Sequence, residues 1–135
     1  MMKKYSVLLL LVFVATLSFA QKKKFTGTFS NGYKGAKISF ELSKDGKMIE
    51  NLTFSGYWRC GSSTEQITAG PEKSIPVVNG KVKAIITDPE NGGSSAFRVN
   101  MDGLIKRNTA QGTFRMSITG LSCDTYQLNW TATSK

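Results

Sequence analysis

The chain has 135 residues, with 18 lysines and arginines against nine aspartates and glutamates, no histidine, and a formal net charge of +9. The missing histidine excludes Ser-His and Cys-His nucleophilic triads and His-based zinc sites. The positive charge favours attraction to anionic glycans, lipid headgroups or nucleic acid without selecting one of them.

Residues 1–20 have the pattern of a cleavable signal peptide. A short basic leader precedes an apolar stretch over Tyr5–Phe19, and Ala20 supplies the small residue at which a signal peptidase cuts. The stretch is shorter than the roughly 20 residues of a membrane span, and lysines 22–24 follow at once, so cleavage is favoured over an uncleaved anchor. We expect a secreted or periplasmic protein without a transmembrane anchor, whose single domain covers residues 21–135.

Alternating apolar and polar residues predict the first strands of this domain. They lie over residues 25–30, 37–42 and Met48–Cys60. An Asp-Gly pair at residues 45–46 predicts a two-residue type I′ hairpin between the second and third strands. Trp58 lies on the apolar side of the third strand.

The same pattern continues to the C-terminus. Asn79-Gly80 is a second tight hairpin signal, and residues 87–95 form the longest polar connection. Further strands are predicted over residues 65–68, 82–86, 97–105, 109–119 and 123–132. In the last of these, Tyr126, Leu128 and Trp130 are expected on the apolar side.

Seven to nine short strands without a useful helical period predict an all-β fold. The expected form is an antiparallel meander closed as a β-sandwich or a small barrel, with Trp58 and Trp130 in its core. Two cysteines in an exported chain favour one disulfide, between Cys60 and Cys123. In the chain-entropy description, this bridge contributes about 4 kcal/mol.

The sequence predicts no catalytic residues, metal site or cofactor. Among the acids, Glu50 and Glu65 are the least explained, but a carboxylate enzyme needs two acids that converge in a cleft. Residues 88–93 cluster oxygen donors without the spacing of a calcium loop, so an ordinary turn is favoured there.

One group of polar residues is a candidate binding surface. Guanidinium and amide groups beside an aromatic ring would form a platform for sugars or anionic polymers if they converged on one sheet. The candidates are Arg59, Arg98, Arg115, Tyr57 and Asn100. The alternative is a solvated sheet exterior.

Several spaced motifs resemble those of a broad set of uncharacterised secreted bacterial all-β proteins. These proteins share a G…G-x-x-I-x-F-x-V opening, one mid-chain cysteine and a C-terminal C…W-T-A ending. The corresponding residues here are Gly27, Gly35–Leu42, Cys60, Cys123 and Trp130–Ala132. The leader is similar to export signals of the Bacteroidetes type. The resemblance implies a disulfide-bonded β-sandwich or barrel, and no activity.

The sequence therefore favours an exported, non-enzymatic module that binds carbohydrate or a polyanionic surface. A small-ligand or lipid carrier with an open barrel is the alternative, and a glycoside-active carboxylate enzyme is a third class. No specific nucleic-acid partner is predicted.

Overall fold

The computed structural model describes residues 21–135, so the signal peptide predicted over residues 1–20 lies outside the described residues. Within residues 21–135, ten strands form, with a three-residue 3₁₀ helix at Thr119–Leu121. The strands are β1 (Lys23–Phe29), β2 (Lys37–Leu42), β3 (Met48–Cys60), β4 (Ser63–Ala69), β5 (Ile75–Pro76), β6 (Lys81–Asp88), β7 (Phe97–Lys106), β8 (Thr109–Ile118), β9 (Cys123–Asp124) and β10 (Leu128–Ser134). No helix in this range is long and apolar enough to cross a membrane.

Six of the strands close into a barrel. Its order is β1-β2-β3-β9-β8-β10, and β10 pairs back on β1. Strands β4 and β5 extend the other edge of β3, while β7 and then β6 extend the other edge of β8. All pairings are antiparallel, which confirms the predicted all-β fold and selects the closed barrel as its form.

Aromatic side chains fill the interior because alternate residues of each strand point inward. The rings of Phe54 and Phe114 stack with centroids 5.6 Å apart, and Phe40 meets Trp130 edge-on at 5.7 Å. Trp58 and Trp130 are 5% and 1% exposed, which confirms that both belong to the core.

Two glycines allow close packing around the Trp130 indole. Trp130 on β10 lies opposite Gly112 on β8, which in turn lies opposite Gly103 on β7. A Cβ atom on Gly103 would lie 2.7 Å from Cζ2 of Trp130, while one on Gly112 would lie 1.8 Å from the carbonyl oxygen of Asp102. The ring therefore packs over Gly103, and Gly112 permits close approach of the neighbouring backbone.

We expect Gly112→Ala to lower the free energy of unfolding by about 1–3 kcal/mol, because its methyl group would meet backbone that cannot move independently. Gly103→Ala is the matched comparison and should cost less, since its methyl group would lie 2.7 Å from the Trp130 ring and no nearer than 3.2 Å to backbone, against 1.8 Å for Gly112→Ala. Urea denaturation followed by tryptophan fluorescence measures both. Equal midpoints for Gly112→Ala and the wild type would contradict this packing.

The two predicted hairpins form with different turns. Asn79 and Gly80 have φ of 51° and 74°, as a type I′ turn requires. At residues 43–47 of the described chain only Gly46 has a positive φ, and its N–H donates to the carbonyl of Ser43 at 2.9 Å. The hairpin there is confirmed, but the type I′ prediction is wrong, because residues 44–47 form a longer loop with one left-handed glycine, and the Ser43 N–H donates to the carbonyl of Met48 at 2.9 Å.

The predicted last strand, over residues 123–132, is interrupted. Strands β9 and β10 are separated by residues 125–127, where Tyr126 has a left-handed φ of 56° and a side chain that is 57% exposed. Thr125 is buried instead. The prediction that Tyr126 points inward is wrong because a left-handed residue resets the alternation of inward and outward side chains.

The Cys60–Cys123 disulfide is present, as predicted. The two cysteines are cross-strand partners on β3 and β9, and their Cα atoms are 4.0 Å apart. The bridge joins residues separated by 63 positions in the chain. Such a bond is typical of proteins in an oxidising environment outside the cytosol.

We expect Cys60→Ala combined with Cys123→Ala to lower the free energy of unfolding by up to about 4 kcal/mol, because the unfolded chain regains the entropy of a long open loop. Chemical denaturation measures the change, with reduced wild-type protein as the comparison. An unchanged denaturation midpoint would show that the bridge does not stabilise the barrel.

Candidate functional site

A groove lies on the exterior of β6, β7, β8 and β9. Its volume of about 620 Å³ is in the usual range for small-ligand sites. We call it the arginine groove. It is lined by Ile85, Thr87, Arg98, Asn100, Arg115, Ser117, Ile118, Thr119, Ser122, Cys123, Asp124 and Tyr126.

Cross-strand register brings these side chains together, because residues directly opposite in an antiparallel pair share one face of the sheet. One row runs Ile85, Asn100, Arg115 across β6, β7 and β8. A second row runs Thr87, Arg98, Ser117, Asp124, Arg59 and continues from β6 to β3.

The structure brings some of the predicted binding residues together and leaves one apart. Arg98, Asn100 and Arg115 line the groove, and Arg59 lies opposite its Asp124. Tyr57 is elsewhere on β3, where its ring meets that of Tyr33 edge-on at 6.4 Å. All five side chains are exposed, as their positions on polar strand faces predict.

Arg115 is held in place by its neighbours. Its Nε and Nη2 atoms donate to Oδ1 and Oδ2 of Asp124 at 3.0 and 2.5 Å, and its guanidinium lies 5.9 Å from the centre of the Tyr126 ring. The hydrogen bond to Asp124, with the charge of that carboxylate, raises the pKa of Arg115. Because the arginine side chain is 48% exposed, this pair adds little to stability and mainly orients the guanidinium.

Three hydrogen bonds, one of them buried, fix the segment that carries Asp124 and Tyr126. The Thr125 hydroxyl accepts from the N–H of Met116 at 2.9 Å and donates to the carbonyl of Tyr126 at 2.9 Å. The N–H of Tyr126 donates to Oδ1 of Asp124 at 2.7 Å. Left-handed backbone at a non-glycine residue such as Tyr126 is costly, and these hydrogen bonds hold Asp124 and Tyr126 in defined positions at the groove.

We expect Thr125→Val to lower the free energy of unfolding by about 1–3 kcal/mol, because it leaves the buried N–H of Met116 without an acceptor. Thr125→Ser keeps the hydroxyl and is the matched control. Thermal denaturation compares the two, and equal losses would mean that the hydroxyl has no structural role.

The groove offers several kinds of contact to a ligand. In the part of the chain that the structure describes, neither Arg98 nor Arg59 has a carboxylate within 4.0 Å, so both can bind an external anion. Asn100 and Ser117 supply further polar groups, and Ile85 is 81% exposed at the groove wall. The arrangement suits a ligand that has an acidic group and hydroxyls.

Other acids considered in the sequence have local partners. Glu50 accepts from Nζ of Lys22 at 2.5 Å, and Glu65 accepts from the hydroxyl of Ser63 at 3.3 Å. In the predicted loop at residues 88–93, Asp88 accepts from the backbone N–H of Glu72. Over residues 21–135 no group of three or more His, Cys, Asp or Glu side chains is arranged to hold a metal ion.

Sequence reasoning missed Ile85, Asp124 and Tyr126 as groove residues. Ile85 is two residues from Lys83 in the same strand and therefore lies on the same outward face, so this spacing could have identified it. Asp124 follows Cys123 directly, so it could have been placed beside Arg59 once the disulfide was assumed. Nothing in the alternation indicated that Tyr126 is turned outward.

Comparison with protein-family models, curated proteins and solved structures finds no match to this chain. Its function is therefore inferred from the arrangement of the described side chains.

Proposed function

We propose that this is an exported, non-enzymatic domain that binds an acidic carbohydrate in the arginine groove. The observation that carries the proposal is that Arg98, Asn100 and Arg115 line one groove together with the exposed ring of Tyr126. A guanidinium binds a carboxylate or sulfate through two parallel hydrogen bonds. The amide and hydroxyl groups pair with sugar hydroxyls, and the aromatic ring offers an apolar surface to the sugar.

Arg98 and Arg115 have different roles in the proposed recognition of the ligand. Asp124 compensates the charge of Arg115, so this pair presents both donors and acceptors to hydroxyl groups. Arg98, across β8 from Asp124, carries uncompensated charge among the described residues and binds the acidic substituent. Export is supported by the disulfide and by the signal peptide predicted over residues 1–20.

The filled interior is the reason for preferring this exterior groove over a carrier cavity. Phe25, Phe40, Phe54, Phe114 and Trp130 are each at most 1% exposed. Rings at stacking distance occupy the space that a carrier of the same size would leave for its ligand.

Of the residues that line the groove, only Asp124 is acidic, whereas glycoside hydrolysis uses a pair of carboxylates.

We expect Arg98→Gln to weaken binding of a heparin tetrasaccharide by about 10- to 100-fold, because it removes a charge-assisted hydrogen bond. Isothermal titration calorimetry measures the affinity, and a desulfated tetrasaccharide tests the need for the anion. Arg107→Gln is the matched control, since it removes the same charge from the turn between β7 and β8, away from the groove. Unchanged binding by Arg98→Gln, or equal loss in both variants, would refute the proposal.

A further inference from the structure

The positive charge of the domain is concentrated at one end of the barrel. We call it the basic end: the end at which β1, β3, β6 and β8 begin and β2, β7 and β10 finish. Its basic residues, all exposed, are Lys22, Lys23, Lys24, Lys44, Lys47, Lys81, Lys106, Arg107 and Lys135. Against these nine stand three acids, Glu41, Asp45 and Glu50, whereas the rest of residues 21–135 has seven basic and six acidic residues.

Hydrogen bonds connect the turns at the basic end into one continuous rim. They join the turn between β2 and β3 to the residue after β5, the turn between β5 and β6 to β7, and the turn between β7 and β8 to both β10 and β1. The donor and acceptor pairs are Val77 N to Lys47 O at 2.8 Å, Ile105 N to Gly80 O at 2.7 Å, Ser134 N to Asn108 O at 2.9 Å and Lys23 Nζ to Asn108 Oδ1 at 3.3 Å. The lysines therefore form a single surface rather than separate exposed tips.

Two of the acids at this end are already engaged. Glu50 is paired with Lys22 at 2.5 Å. Asp45 accepts from the hydroxyl of Ser43 at 2.7 Å and from the N–H of Lys47 at 3.0 Å, and these hydrogen bonds lower its pKa. Like charges that lie close together on one rim repel one another and raise the free energy of the folded domain. Binding of an anionic partner would reduce this repulsion.

An apolar side chain projects from the same rim. Val78, in the turn between β5 and β6, is 66% exposed and is bridged to Lys81 through the backbone. Apolar side chains ringed by lysines are typical of surfaces that rest on a membrane, where the apolar group enters the headgroup region and the cations meet phosphates. Gln21, the first described residue, lies at this end as well.

We propose that the basic end docks on a bilayer surface that contains anionic phospholipid. Eight of its nine basic residues are lysines, whose compact ammonium groups on flexible stems suit mobile phosphate headgroups. The arginine groove, by contrast, holds planar groups in fixed positions. The lipid surface and the groove are separate sites, so either can be correct without the other.

The test compares two charge-matched variants of the exported protein in vesicle co-sedimentation. One variant carries Lys44→Gln, Lys81→Gln and Lys106→Gln at the basic end. The control carries Lys34→Gln, Lys37→Gln and Lys73→Gln, which removes the same charge from residues outside both the basic end and the arginine groove. The vesicles are phosphatidylcholine with about one-third phosphatidylglycerol, and pure phosphatidylcholine is the reference.

Each basic side chain near an anionic membrane strengthens binding about fivefold, so the basic-end variant should bind at least about a hundredfold more weakly than the wild type. The control should change by less than about threefold, since its lysines lie toward the opposite end of the barrel, around the start of β2 and beside Glu90 after β6, where salt screens their attraction to the membrane. Circular dichroism and thermal denaturation confirm that both variants are folded. Equal losses in the two variants would overturn the proposal, because they would show an attraction that depends on net charge alone.

The substitution Val78→Ser distinguishes binding to a lipid surface from binding to a soluble polyanion. It should weaken vesicle binding by about three- to tenfold, because the membrane buries the valine side chain, and it should leave retention on a heparin column unchanged. Unchanged vesicle binding by Val78→Ser, or loss of heparin retention without loss of vesicle binding in the basic-end variant, would refute docking on lipid.

Discussion

The bond between Cys60 and Cys123 is the constraint on which both the barrel and its groove depend. Strand β9 has only two residues, yet it connects β3 to β8 and so completes the ring of strands. So few hydrogen bonds offset little of the conformational entropy lost by ordering the segment. The covalent link makes this short contact persistent, and it places Asp124 opposite Arg59 and within reach of Arg115.

The barrel separates two kinds of electrostatic surface. In the groove, arginines sit among an acid, an amide and an aromatic ring, and their geometry is set by cross-strand register. At the basic end, lysines project from turns and the chain termini. There the length and flexibility of their side chains matter more than the exact position of each ammonium group. The first arrangement suits recognition of a defined shape, and the second suits attraction to an extended charged surface.

Much of the fold could be predicted because alternation of apolar and polar residues is a local property. The bounds of β3, the burial of both tryptophans and the outward position of Arg98 follow from it directly. Tyr126 could not be placed, because one left-handed residue reverses the parity of the residues after it, and its stabilising partners lie on another strand. The basic end was equally hidden, since its lysines are spread over the sequence and meet only when the strands pair.

The pairing of β1 with β10 has a kinetic consequence. Phe25 lies opposite Ser134, so the barrel closes through contacts between opposite ends of the sequence. Domains rich in such contacts have high contact order and fold slowly, since a large loop must close before strand pairing contributes any favourable free energy. As the chain emerges from its N-terminus onward, one edge of β1 stays unpaired until the last strand is available, and in that interval the exposed edge can start aggregation.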